Sequence, residues 1–358
     1  MPDTNATILI PDISGFTEFM TSTELEHGSH AISFLLDAII QAVGDEYEIS
    51  EIEGDAVLMF KRGPAPTKKE ILDICLKIFN AFHYQRKWMQ QHTICPCGAC
   101  QAIINLTLKF IAHHGMIGEM RIGRFITLSG TDVIIAHRLL KNSVPSHEYL
   151  LLSEKLLNNV PDSSEDFEME WNDLSDEFAS IGKVNYHFAR LEEARKKTPD
   201  PPMPETHYQT DNTSQLETTI AANFRDVYMI LMNIPSRAKW VPGLLKVEQE
   251  FPNAFVGSIH YCTFEDYKTV ISPLQMELHE EGIVYAESCK IEEMNLSLVY
   301  EFTIKKINEN ACIFASRFMN AGESPISAEL NSMLFKNMQG IVEKLKSASE
   351  KLEKSFFK

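Results

Sequence analysis

Ile8-Leu9-Ile10-Pro11-Asp12-Ile13-Ser14-Gly15-Phe16-Thr17 and Glu51-Ile52-Glu53-Gly54-Asp55-Ala56-Val57 decide how this chain is read. Each places one Asp beside an apolar run and close to a Gly. Ala6 to Ile13 has the length and apolarity of a buried strand, and Glu46–Ile52 with Ala56–Phe60 reads as a β-hairpin tipped by Gly54-Asp55. If the two strands are neighbours, Asp12 and Asp55 stand side by side, as a divalent-metal and phosphate site needs. Gly15-Phe16-Thr17 then opens a helix whose free N–H groups suit phosphate oxygens. Taken singly, Asp12 reads more readily as a helix cap and Asp55 as a turn residue; taken together, in context, they do not.

Outward from these stretches, Ile32, Leu35, Leu36, Ile39, Ile40 and Val43 repeat at helical spacing. A second helix is expected over 68–91, with Ile71, Ile74, Cys75, Ile78, Phe79 and Phe82 on one face. A strand over 103–112, a hairpin over 116–127, a helix over 132–141 and strands over 149–153 and 183–191 complete the first half. This order predicts an α+β sandwich, with helices on one face of a mostly antiparallel sheet. Residues 193–215 hold Pro199, Pro201, Pro202 and Pro204 with almost no large aliphatic side chain, and read as a linker between domains 1–192 and 216–358. The second half predicts two short helices, a run of strands and a final helix from near Glu323. On that helix Leu330, Leu334, Met338, Ile341, Leu345, Ala348 and Leu352 form one stripe.

The chain has 358 residues, enough for two cores, and its 44% hydrophobic and 23% charged residues are ordinary for a soluble protein. A formal net charge of −17 argues against a nucleic-acid partner, which wants a basic face. It leaves room for a mononucleotide held by local charge and a metal. The N-terminus has no signal-peptide pattern, no run reaches membrane-span length, and seven scattered Cys suggest no disulfide framework; a cytoplasmic location is expected. Cys95, Cys97 and Cys100 nonetheless cluster, and with His92 they make a four-ligand set suited to structural Zn²⁺. A redox role and a merely Cys-rich turn are the other readings.

In motif order the first half resembles the class III nucleotidyl cyclases, the adenylate and guanylate cyclase homology domain, whose fold is a ferredoxin-like sandwich. Asp12 to Thr17 looks like that family's first metal-binding motif and Glu51 to Val57 like its Gly-Asp hairpin. Lys109 to Gly118 is similar to its central strand, and Gly130 to Leu139 to its dimer-interface helix. The Cys-x-Cys insertion marks a divergent branch. The resemblance implies that Asp12, Asp55 and the Ile13 carbonyl hold Mg²⁺ or Mn²⁺, and that Phe16 and Thr17 meet the phosphates. It gives Arg138 the role of stabilising charge in cyclisation, and makes Glu51 and Asp132 the purine-reading pair. It also implies a homodimer in which metal pair and arginine come from opposite subunits. Two positions depart from the pattern. Ile134 stands where an Asn orients the ribose, and of a late Lys-Gly-Lys only Lys183 remains. These losses favour nucleotide binding with weak or absent turnover over an active adenylate or guanylate cyclase.

The second half resembles the START-like, polyketide-cyclase-like helix-grip family, through element order and the stretches Phe224–Tyr228, Trp240–Gly243 and Val256–His260. That likeness implies an apolar cavity for a hydrophobic small molecule or lipid. Trp240, His260, Cys262, Met276, Arg317 and Met338 are the residues expected to face it; residue by residue, Met and Phe at such spacings are more often plain core. A third reading follows, a hydrophobic-ligand binding or transport protein with a purely structural cyclase-like domain.

Overall fold

The computed structural model describes residues 4–23, 25–94, 98–123, 125–159, 169–202, 214–249, 255–322 and 324–351. The chain divides into two compact units, residues 1–88 with 102–201, and residues 89–101 with 202–358. The division differs from the expected one in placing 89–101 with the second unit.

From the N-terminus run β1 (Thr4–Ser14), α1 (Phe16–Ser22), α2 (Leu25–Val43), β2 (Glu48–Glu53), β3 (Ala56–Arg62), α3 (Lys68–His92), α4 (Gly98–Ala102), β4 (Thr107–Ile122) and β5 (Phe125–Ser129). Then come α5 (Thr131–Leu139), β6 (Tyr149–Ser153), α6 (Glu154–Leu157), β7 (Trp171–Phe178), β8 (Gly182–Arg190) and α7 (Glu192–Lys196). The strands form one sheet in the order β2-β3-β1-β4-β6-β8-β7, with β5 paired to β4 alone. Its first four strands are antiparallel in the order 2-3-1-4, with helices between β1 and β2 and between β3 and β4. That is the ferredoxin-like βαββαβ arrangement. β1 is central, and residues 6–14 are buried on both faces, so it reads as a continuous apolar run instead of an alternation. The helical stripe of α2 is buried at Ile32, Leu35, Ile39 and Val43. α3 starts at a capping box: Thr67 N–H donates to Glu70 Oε2 at 2.7 Å and Glu70 N–H to Thr67 Oγ1 at 3.2 Å.

The expected break between residues 112 and 116 is absent. β4 continues through Gly115 and Gly118 to Ile122, its outer half forming an arm with β5 (Gly118↔Ser129, Ile122↔Phe125).

The second unit is α+β as well. It contains β9 (Ser214–Ile220), α8 (Phe224–Met232), a 3₁₀ turn Ile234–Lys239, then β10 (Lys246–Gln249), β11 (His260–Thr263), β12 (Lys268–His279), β13 (Gly282–Ile291), β14 (Leu296–Asn308), β15 (Ala311–Asn320) and α9 (Ala328–Lys351). The seven strands are an antiparallel meander closed by β9 on β15. α9 starts later than expected. It buries Leu334, Met338, Val342 and Leu345 in the same core as Tyr285, Phe302 and Phe314 of the sheet; Leu352 lies outside the described residues. Ile94, from the 89–101 segment, is fully buried in this core, and its carbonyl accepts the Tyr228 hydroxyl at 2.5 Å.

Candidate functional site

Two turns bring Asp12 and Asp55 together. β1 pairs with β3 so that Asp12 stands opposite Ala56, and Ile13 N–H donates to the Asp55 carbonyl at 3.0 Å. Gly54 opens the two-residue hairpin turn at φ +65°, a conformation Gly adopts without strain. Gly15 lies at φ +88° and turns the chain from β1 into α1, so Phe16 and Thr17 begin a helix directly beyond the Asp12 end of the strand.

Asp12 is almost fully buried. Burial, opposed by Lys109 and reinforced by Asp55, pushes its carboxyl up to about 6. Burial also raises Asp55, against its own backbone hydrogen bond and Lys109. Both shifts come first from burial, which disfavours the charged carboxylate; at Asp12 the neighbouring Asp55 adds to it. Lys109 already supplies one positive charge, its Nζ lying 3.6 Å from Asp12 Oδ2. Sequence reasoning assigned Lys109 no role. It faces Asp12 only through the β1–β4 register, which pairs those two residues, and no local signal carries that pairing. The net charge of the trio when ionised is −1, and its donors are oxygens, the chemistry a hard divalent cation takes.

The other expected nucleotide residues lie elsewhere on this unit. Asp132 is at the far end of the sheet, opposite the first residues of β1. Its carboxylate accepts from Met116 N–H at 2.8 Å, His113 Nε2 at 3.0 Å and Lys155 Nζ at 2.5 Å. Burial would raise this carboxyl, yet the bonds from His113, Lys155 and Met116 hold it well below the usual range. Three of the acceptor positions of Asp132 are thus taken by donors of its own chain. Lys183 is exposed at the start of β8. The register Asp12↔Lys109, Phe110↔Leu150, Tyr149↔Arg190 places the other end of β8 level with Asp12. Lys183 is thus roughly 20 Å further along, at ~3.3 Å per residue. Arg138 and Ile134 are both exposed on α5, four residues apart and so on one face. Glu51 is half-buried on β2. With Glu53 and His137 it forms a group whose ligand atoms lie within 4.8 Å of one another. This group is largely exposed, and acidic clusters of that kind are common without an ion.

Of the expected zinc set, Cys95 and Cys97 lie outside the described residues. Cys100 is a buried free thiol, and His92 is buried at the end of α3.

In the second unit a cavity of about 410 Å³ opens between α9 and the sheet. Trp240 and Cys262 line it, together with Phe264, Tyr267, Tyr300 and Phe302. His260 is buried without lining it, and Met276 and Met338 belong to the surrounding core. Arg317 is a correction. Alternation along β14 turns Tyr300 and Phe302 inward, so Glu301 points the other way; Arg317, its partner across β15, bonds it there at 2.7 Å. The residues the sequence did not reveal are Arg237 and Glu287. They form a two-pronged pair at 3.1 and 2.9 Å inside the cavity wall, and Tyr285 O–H adds a bond to Glu287 at 2.6 Å. Burial would raise Glu287, but Arg237 holds it below its ordinary value.

No described helix is long and apolar enough to cross a membrane. Residues 32–149 match a family described as "Protein of unknown function (DUF2652)". Among solved structures, the chain is similar to the catalytic core of a rhodopsin-guanylyl cyclase with converted specificity in complex with ATPalphaS. The identity is 13% and the TM-score 0.40, covering 52% of this chain and 97% of that one. It is similar to the adenylyl cyclase CyaB from P. aeruginosa at 17% identity and a TM-score of 0.38, covering 52% of this chain and 94% of that one. Among curated proteins, the uncharacterized protein Rv2561/Rv2562 of Mycobacterium tuberculosis is 30% identical over 157 residues, which span 44% of this chain and 72% of the relative. On that identity over most of the relative's length, the chain belongs to the family of the mycobacterial protein Rv2561/Rv2562.

Proposed function

We propose that the first unit is a divergent nucleotidyl-cyclase-like domain that binds a divalent cation, Mg²⁺ or Mn²⁺, and the phosphates of a purine nucleotide, with little or no turnover. The observation that carries this reading is the juxtaposition of the buried Asp12 with Asp55 at the mouth of α1. Asp12, Asp55 and the Ile13 carbonyl would hold the ion. When bound, it supplies the charge that neutralises both carboxylates and draws in phosphate oxygens. Phe16 and Thr17 are placed to offer backbone N–H groups to those oxygens. The strand register sets Lys183 far from Asp12 within one chain, and the cyclase resemblance draws Arg138 and Lys183 from a second copy. The exposed apolar side chains Met116, Met120, Ile122 and Ile126 of the β4–β5 arm support such a copy.

Weak turnover follows from two side chains. Ile134 brings no hydrogen-bonding group where a ribose would need one, and Asp132 is committed to His113, Lys155 and Met116. Each missing orienting group costs about two to three decades in rate. The second unit serves as a module for a small hydrophobic ligand, a reading supported by the lined cavity.

Calorimetry tests the first reading. Mn²⁺ followed by a non-hydrolysable GTP or ATP analogue should give saturable heat, weakened at least ~10-fold in Asp55→Ala, with no cyclic product. Absence of heat at millimolar nucleotide would overturn it. A cyclic product abolished by Asp55→Ala would replace it with an active cyclase.

A further inference from the structure

The cavity of the second unit has an apolar wall, a charged pair that is already neutral, and two polar groups, Trp240 Nε1–H and Thr269 Oγ1, with no hydrogen-bond partner among the described residues. Arg237 and Glu287 are buried and satisfy each other with two parallel hydrogen bonds; Arg237 Nε also donates to the Leu231 carbonyl at 3.2 Å. The other charged group at the lining, Asp266, is exposed and negative. Trp240 is buried against the cavity, and its indole Nε1–H has no acceptor among the described residues. Buried donors of that kind are rare because the lost water is not replaced. A bound molecule is the natural source of the missing acceptor.

We propose that this cavity takes a neutral, compact apolar molecule carrying one hydrogen-bond acceptor, a carbonyl or ether oxygen read by Trp240 Nε1–H, and that it rejects carboxylates. The inference deepens the reading of the second unit as a hydrophobic-ligand module and rests on it.

A carboxylate entering the cavity meets no unneutralised cation. To reach Arg237 it must displace Glu287, leaving that acid buried and unpaired, which costs more than the new pair returns. Asp266 at the rim repels it as well. A neutral ketone meets neither obstacle, and its oxygen completes the Trp240 bond. Selectivity therefore comes from what the anion breaks as much as from what the ketone makes. A volume of about 410 Å³ suits a fused two- or three-ring skeleton or a short isoprenoid. It falls short of what a two-chain lipid needs.

The test uses the full chain and two probes of the same skeleton and nearly equal size, 2-acetylnaphthalene and 2-naphthoate, titrated by calorimetry. The ketone should bind at least ~10-fold tighter than the acid. Trp240→Phe keeps the ring and removes the donor, and should weaken the ketone about tenfold while leaving the weak acid binding unchanged. Glu287→Gln frees the charge of Arg237 and should turn the preference toward naphthoate. If that variant does not fold, Trp240→Phe decides alone. Equal affinity of the wild type for both probes, or a ketone affinity indifferent to Trp240→Phe, overturns the selectivity and leaves the module standing. Heat from neither probe overturns the module and the selectivity together.

Discussion

A Cβ built on Gly115 would lie 2.1 Å from Asp132 Cγ and 2.3 Å from its Oδ2. The glycine is needed there for space, and the carboxylate that fills the space joins β4 to α5 and α6 through Met116, His113 and Lys155. Gly115→Ala should expel that carboxylate and lower the stability of the first unit by about 3 kcal/mol, read as a lower denaturant midpoint. In the second unit, burial first and Arg237 second push the His260 imidazole down to about 4. Between pH 4 and the unfolded value near 6.5, the unfolded chain binds the proton and the folded one does not. The contribution is therefore present in full above about pH 6.5 and is lost as pH falls toward 4, by at most about 3 kcal/mol. Amide exchange of β11 and β13 should accelerate on going from pH 7 to 5, after correction for intrinsic rates, more in the wild type than in His260→Gln. An equal response in both would reject His260 as the cause.

Legibility at the scale of elements depended on how much apolar surface an element shows. α2, α3 and α9 bury a stripe at three- and four-residue spacing, and that spacing is written in the chain. β7 (Trp-Asn-Asp-Leu-Ser-Asp-Glu-Phe) is an edge strand exposed along most of its length, so its pattern is polar and it passes for a loop. β4 was legible only in halves, because Gly115 and Gly118 imitate a turn when the Asp132 carboxylate that needs the room at Gly115 is out of sight. Its arm with β5 also carries the apolar surface proposed to meet a second copy. Charges there cost one chain little, within about 0.5 kcal/mol. Met120→Glu with Ile126→Glu should convert a dimer to a monomer in sedimentation, with an unchanged melting temperature. A wild type that sediments as a monomer, or a variant that stays dimeric, would refute the arm as interface.

For the molecule as a whole, the candidate site was half legible. Asp12 and Asp55 announced themselves because each stands beside an apolar run and close to a glycine. Lys109, Arg237 and Glu287 did not, because each acquires its partner through pairing or packing distant in sequence. The placement of residues 89–101 was hidden for the same reason. Residues 89–101 begin inside α3, yet they cluster with 202–358. There Val256 N–H donates to the His92 carbonyl at 2.7 Å, and Tyr228 bonds Ile94. Ile94 is fully buried among side chains of α8, α9 and the second sheet. Ile94→Ala should leave a cavity in that core and cost about 3 kcal/mol. The loss should appear as faster amide exchange in α8, β13 and β14, because an apolar vacancy is felt by the core that surrounds it. Protection in β1 and β4 should be unchanged, since their core is built from Ile8, Ile10 and Ile111. Faster exchange in β1 and β4 with protection of β13 intact would assign Ile94 to the first unit and return the boundary to where the composition had put it.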